Sequence, residues 1–167
     1  MINMKDNQQQ KTKHNKTLDE NQFSIIDHNG KKYSILHIDD DKSLLLLSKT
    51  FIEEIAPHIR VKQEPDSSKV TDHINSEFDC ILVDFSMPVY NGLDVCKKIR
   101  EIKNTPIILF TGKDEEMLPI QEFNELGVKY IQKSMDPLNY FKLVNTIIDL
   151  INQELAERKE LLIKAVD

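Results

Sequence analysis

Reactive side chains stand at four points of this sequence, each at the end of a short strand-like run: Asp39-Asp40-Asp41, Asp84, Thr111 and Lys133. Taken singly, each has an ordinary explanation. An Asp behind a strand often caps the next helix, and Asp41 suits that role ahead of Lys42. Thr111-Gly112 reads as turn chemistry, and Lys133 as a solvated loop lysine. Taken together, carboxylates, a hydroxyl and an ammonium describe a site that binds a cation and handles an anion. Carboxylates held close repel one another and destabilise the fold unless a cation neutralises them. Hard oxygen ligands of this kind suit Mg²⁺, which takes carboxylates and phosphate oxygens and keeps several waters. Beside such a metal, Asp84 can act as a carboxylate nucleophile toward a phosphoryl donor, giving an acyl phosphate. Because charge sits on the oxygens of the transferred group, positioning and electrostatics are the main task. Lys133 then supplies a point positive charge, and Thr111 a hydroxyl hydrogen bond to a phosphoryl oxygen.

These residues converge only if the runs before them are parallel strands, since open α/β sheets bind ligands beyond the carboxyl ends of their strands. The patterning supports this. Strand-like runs are Tyr33–Ile38, Ile59–Gln63, Cys80–Asp84, Ile107–Thr111 and Val128–Gln132. Helix-like runs separate them at Lys42–Ile55, Ser67–Asn75, Leu93–Ile102 and Glu115–Leu126, and a last one starts at Asp136. Cys80–Val83 and Ile107–Phe110 are continuously apolar, as strands covered on both faces should be. Five such β-α units predict a doubly wound parallel sheet in one domain.

The flanks read differently. Residues 1–32 begin as a polar tail rich in Asn, Gln, Lys and Thr, with too little apolar surface to offset its ordering entropy. Asn29-Gly30 suits a hairpin turn, which raises an extra short strand near 23–26. Asp136-Pro137 signals a helix start. The helix it begins carries Phe141, Val144, Ile148, Ile151, Leu155 and Leu162 at alternating three- and four-residue steps, with Arg158 breaking the series. Two readings of that spacing stand open: an amphipathic core helix with a charged end, or an extension over residues 151–167 that dimerises or couples to an output.

Composition narrows the function classes. A net charge of −6 and a pI near 5.4 give no general pull toward nucleic acid. Apolar runs such as Leu44–Leu47 are far too short to span a bilayer, and no signal-peptide core opens the chain, so a cytoplasmic location is expected. Cys80 and Cys96 form neither a disulfide framework nor a metal set and read as reduced structural thiols. His37, His58 and His73 read as strand-face or surface residues without a role.

At the residues above, the sequence resembles the response-regulator receiver family of two-component signalling, over residues 33–150. The resemblance rests on Ile38-Asp39-Asp40-Asp41, Asp79 through Asp84-Phe85-Ser86-Met87-Pro88, Asn91-Gly92-Leu93, Leu109-Phe110-Thr111-Gly112 and Lys129-Tyr130-Ile131-Gln132-Lys133. It implies a flavodoxin-like sheet in the order 2-1-3-4-5. It implies that Asp84 takes the phosphoryl group, and that Asp39, Asp40, Asp84 and the Ser86 main-chain carbonyl hold Mg²⁺. Thr111 and Tyr130 look like a switch pair, with Tyr130 turning into space that Thr111 vacates. A histidine kinase or phosphotransfer protein would be the donor. A downstream partner, or a second copy, would meet the face built from the fourth helix, fifth strand and final helix. The chain would then be no enzyme beyond its own phosphorylation and dephosphorylation. It departs from the family where Ser134 follows Lys133 in place of the usual proline, whose cis peptide orients that loop. The Gln-Lys-x-x-Asp-Pro form is similar to receivers of archaeal multidomain sensors. Ser86 and Lys113 occupy the two positions that tune loss of the phosphoryl group.

Three alternatives compete. A pseudo-receiver would keep the fold as a phosphorylation-independent interaction module. A haloacid-dehalogenase-type phosphatase wants an Asp where Ser86 stands. A flavodoxin-like nucleotide binder needs a Gly- or Ser/Thr-rich loop where Asp39-Asp40-Asp41 would repel phosphate.

Overall fold

The computed structural model describes residues 30–165. The expectations placed on residues 1–29, including an extra strand near 23–26, lie outside the described residues. The strands are β1 (Tyr33–Ile38), β2 (Ile59–Glu64), β3 (Cys80–Val83), β4 (Ile107–Thr111) and β5 (Val128–Gln132). All pair in parallel, in the order β2-β1-β3-β4-β5. The helices are α1 (Lys42–Ile55), α2 (Val70–Ile74), α3 (Gly92–Arg100), α4 (Ile120–Glu125) and α5 (Pro137–Lys164).

Alternation along the strands splits the apolar core in two. On one face Tyr33, Ile35, Leu82, Ile108, Phe110 and Ile131 pack with Ile52 of α1 and Leu143, Val144 and Ile147 of α5. On the other, Leu36, Ile38, Ile81, Val83, Ile107 and Leu109 pack with Val70, Val95, Ile99 and Phe123 from α2, α3 and α4. The central strands β3 and β4 are buried along their whole length, which accounts for their unbroken apolar sequence.

Two helices differ from the sequence expectation, each for a local reason. The run Ser67–Asn75 is a 3₁₀ turn at Ser67–Lys69 followed by the short α2. The run Glu115–Leu126 is a 3₁₀ turn at Glu115–Met117, then a break, then α4. Pro119 explains that break, because its ring disfavours the helical region for the residue before it. Leu118 accordingly sits extended at φ −114°, ψ 149°.

The last helix runs 28 residues, about 42 Å at 1.5 Å per residue. Asp136 caps it, accepting from Leu138 N at 3.0 Å. The proposed seam does not face one way. Val144 and Ile151 enter the core beside Tyr140, Leu143 and Ile147, while Phe141, Ile148 and Leu155 are half-buried. Past Leu155 every residue through Ala165 is exposed, and Leu161, Leu162 and Ile163 are about two-thirds exposed. The pairs Arg158–Glu154 and Lys164–Glu160 line this stretch at four-residue spacing.

One glycine has a steric reason to be glycine. A Cβ on Gly92 would lie 2.5 Å from the Asp84 carbonyl oxygen and 2.9 Å from Phe85 Cα. The start of α3 therefore rests directly on the backbone of the residue that carries the proposed chemistry. Gly92→Ala should destabilise the fold by about 1–3 kcal/mol through that clash, read from urea midpoints. Gly112→Ala, with nothing within 4 Å of its Cβ, should stay close to wild type.

Candidate functional site

Parallel register delivers the acids side by side. Ile38 pairs with Val83, so the chain leaves β1 and β3 at the same level, with Asp84 N bonded to Ile38 O at 2.9 Å. Asp39, Asp40 and Asp84 each offer a carboxylate oxygen, all within 4.8 Å of one another. Asp39 and Asp84 are buried and Asp40 is exposed. Lys133 enters from the end of β5, its backbone N–H bonded to Thr111 O at 2.7 Å. Its ammonium donates to Asp39 Oδ2 at 2.5 Å and to Asp84 Oδ1 at 2.7 Å. Lys133 is thus an internal counter-ion between two acids rather than a solvated loop residue.

The other oxygen of each of these two acids accepts from backbone. Asp39 Oδ1 accepts from Asp41 N at 3.0 Å, and Asp84 Oδ2 from Ser86 N at 2.6 Å. Asp41 caps α1, accepting from Ser43 N and Leu44 N, so only the first two acids of the triplet serve the site. Burial pushes the Asp39 carboxyl above its usual range, against the pull of Lys133 and the Asp41 N–H. Burial would also lower the Lys133 ammonium, but its hydrogen bonds to Asp39 and Asp84 outweigh that and raise it. Both directions mean that the site holds its protons tightly. Three carboxylates against one ammonium still leave net negative charge, and the oxygen donor set fits a hard divalent cation such as Mg²⁺. The site residues present therefore suit that ion.

The loop after Asp84 is pinned by a residue with no obvious motif. Ser67 Oγ donates to Pro88 O at 2.6 Å and accepts from Tyr90 N at 3.2 Å, bracketing Val89. Val89 has φ 71°, a left-handed conformation that a β-branched residue resists. The loop after Lys133, which lacks the family proline, is tied back by Asn139 Nδ2 to Gln132 O at 3.0 Å and by Asp136 N to Ser134 Oγ at 3.1 Å. Among the described residues there is no cis peptide.

Thr111 and Tyr130 lie on the opposite sheet face from Lys133. Tyr130 pairs with Leu109, one pleat from Thr111. The backbone of Lys113 touches both: its N–H lies 3.5 Å from Thr111 Oγ1, and its carbonyl accepts from Tyr130 Oη at 2.7 Å. Tyr130 is half-buried, and burial, with Asp114 and Glu115 nearby, raises its phenol pKa. Cys80 and Cys96 are both buried free thiols, pushed up to about 12 by that burial, which fits inert packing.

Sheet order and the acid-lysine cluster at the strand ends define a doubly wound α/β protein with an acidic, cation-type site. The response regulator receiver domain model matches residues 35–145, and the chain belongs to that family. Among curated relatives, the nisin biosynthesis regulatory protein NisR of Lactococcus lactis is 36% identical over 126 residues, covering 73% of this chain and 52% of its own. The transcriptional regulatory protein ResD of Bacillus subtilis is 31% identical over 119 residues, covering 71% and 49%. The chain thus spans about half the length of these relatives. The Francisella response regulator 1452 receiver domain superposes with a TM-score of 0.63 at 26% identity, covering 74% of this chain and 99% of that one. A CheY-like receiver domain protein of Methanospirillum hungatei gives 0.65 over the same shares at 21% identity, a likeness of fold alone.

Two histidines carry more than the sequence suggested. His73 lies on α2, its Nε2 2.6 Å from Glu64 Oε2. His37 is wholly buried on β1, and neither ring nitrogen has a hydrogen-bond partner. Leaving an imidazole so placed costs about 1–3 kcal/mol. Nothing in the strand's alternation marked it, since position 37 simply continues the inward series of Ile35. Burial, with the Lys133 charge adding to it, lowers the His37 pKa from 6.5 to about 3. In the unfolded chain this ring takes its proton near pH 6.5, whereas in the folded chain it does so only near 3. The unfolded state therefore binds the extra proton between those values, and stability falls as pH drops through that window. Wild type should lose thermal stability from pH 6.5 toward pH 3 more steeply than His37→Leu, measured by melting temperature at each pH.

Proposed function

We propose that this domain accepts a phosphoryl group on Asp84, with Mg²⁺ bound, and relays that event to a protein partner. The observation that carries the reading is the Lys133 ammonium lodged between Asp39 and Asp84, inside a cluster of three carboxylates. Mg²⁺ held by Asp39, Asp40, Asp84 and the Ser86 carbonyl would neutralise charge on the phosphoryl oxygens. In the transfer, an Asp84 carboxylate oxygen forms the new bond to phosphorus. The bond from phosphorus to the donor's histidine nitrogen breaks, and the imidazole leaves with that electron pair. Lys133 supplies positive charge to the phosphoryl oxygens, and Thr111 donates its hydroxyl to one of them.

The response follows from the link through Lys113. Drawing Thr111 toward the phosphoryl group moves the backbone that also holds Tyr130, so Tyr130 is freed to turn inward. That changes the surface made by α4, β5 and α5. Membership of the receiver family makes a histidine kinase or phosphotransfer protein the donor class, acting in the cytoplasm. Curated relatives described as regulatory proteins are twice as long as the matched region, so the output is proposed to run through a partner or a further segment. The exposed apolar end of α5 offers a place for such contact or for a homodimer.

Incubation with Mg²⁺ and acetyl phosphate should add one phosphoryl mass to wild type and none to Asp84→Asn. Omitting Mg²⁺ should abolish the gain. No gain in folded wild type with any donor would favour a phosphorylation-independent interaction module. Phosphorylation should also change amide exchange around Lys113 and Tyr130, or change the mass in solution; identical values in both states would sink the proposed switch.

A further inference from the structure

His37 faces the acid cluster, and the proposed chemistry leaves it unused. Its Nε2 lies 3.7 Å from Asp39 Oδ2, too far for a hydrogen bond, and neither ring nitrogen has a hydrogen-bond partner. The same oxygen is the one that Lys133 occupies. The other carboxylate oxygen of Asp39 is committed to Asp41 N. The ring has Phe110 beside it at 6.1 Å between centroids and pairs in register with Leu82. The fold itself does not need an imidazole there, since an aliphatic side chain would suit those neighbours better.

We propose that His37 is a positioning residue for Asp39, its neutral ring donating Nε2–H to Asp39 Oδ2 when Lys133 leaves that oxygen. The inference rests on the receiver reading above, in which Lys133 turns toward the phosphoryl group. At that moment Asp39 Oδ2 loses its one close donor while remaining buried, and an unsatisfied buried carboxylate oxygen is strongly disfavoured. A closure of less than 1 Å brings His37 into hydrogen-bond range. The carboxylate also dictates the tautomer. A lone pair on Nε2 would face negative charge, so the proton belongs on Nε2 and the bare nitrogen Nδ1 points into the apolar layer. Partners that orient a ligating carboxylate in this way typically matter tenfold or more to metal affinity.

The test compares Mg²⁺ binding by calorimetry in the presence of beryllofluoride, the state in which Lys133 would leave Asp39, in wild type, His37→Leu and His37→Gln. It adds long-range ¹⁵N–¹H spectra of wild type with and without Mg²⁺ and beryllofluoride. Glutamine can place an N–H where Nε2 sits, and leucine cannot. His37→Leu should bind Mg²⁺ about tenfold more weakly, and His37→Gln should remain within about twofold of wild type. The wild-type ring should carry its proton on Nε2, with that resonance moving downfield when Mg²⁺ and beryllofluoride are present. Equal affinity in wild type and His37→Leu overturns the proposal, as does a proton on Nδ1. Equal loss in both variants assigns the residue to packing and likewise overturns it. The spectra of wild type decide the tautomer even where a variant fails to fold. Absence of Mg²⁺ binding by wild type overturns this proposal and the receiver reading together, whereas binding that ignores His37 overturns this proposal alone.

Discussion

A parallel sheet that ends two neighbouring strands on buried acids has an electrostatic problem, and Lys133 resolves it. Its ammonium meets Asp39 and Asp84 at once, at 2.5 and 2.7 Å. Two desolvated carboxylates without that cation would repel each other at short range in a poorly screening medium. The rest of the structure arranges for the lysine to arrive. Order β2-β1-β3-β4-β5 puts β5 at the far edge, so the Lys133 side chain must reach back across the ends of β4 and β3. Its backbone is first fastened to Thr111. Phe110 lies beneath its path, with the ammonium 5.8 Å from the ring centroid.

The same bridge accounts for how this chain manages without a proline after the lysine. A cation held by two buried acids at one end of the side chain, and by Thr111 at its backbone, has little freedom left. The loop behind it needs only modest restraint, which Asn139 and Ser134 supply. Order here comes from the site inward, where a proline would impose it from the loop.

Much of this was legible in the sequence because it is written in local patterns. Buried strands show as unbroken apolar runs, and β3 and β4 are the plainest. Site residues showed because each terminates a strand-like run, where an open α/β sheet gathers its ligands. What escaped notice depends on contacts between distant segments. Ser67 is an unremarkable serine until the 3₁₀ turn before α2 brings it 2.6 Å from the Pro88 carbonyl. His37 looks like one more strand residue until β3 and β4 bury its ring beside Leu82 and Phe110 without a hydrogen-bond partner. The seam along α5 misled for a related reason: three- and four-residue steps do not say which side the sheet occupies, and the sheet chose Tyr140, Leu143 and Ile147. The break before α4 was readable, since Pro119 forbids a continuous helix through Leu118.

The arrangement also separates charge handling from signal. Asp39, Asp84 and Lys133 extend strands whose residues of the same parity face α1 and α5, whereas Thr111 and Tyr130 share the face covered by α3 and α4. In the proposed function, charge added at Asp84 would act on the far layer through a group that reaches both sides of the strand ends. Thr111 meets that condition: its carbonyl holds Lys133, and its hydroxyl lies against the backbone that holds Tyr130. In the proposed function, a change in where Lys133 points and a change in where Tyr130 points would be coupled through Thr111. That coupling needs no motion of the core, because the strands behind it are buried and closely packed. The proposed movement therefore falls in the loops that follow Asp84, Thr111 and Lys133, beyond the register-paired strands.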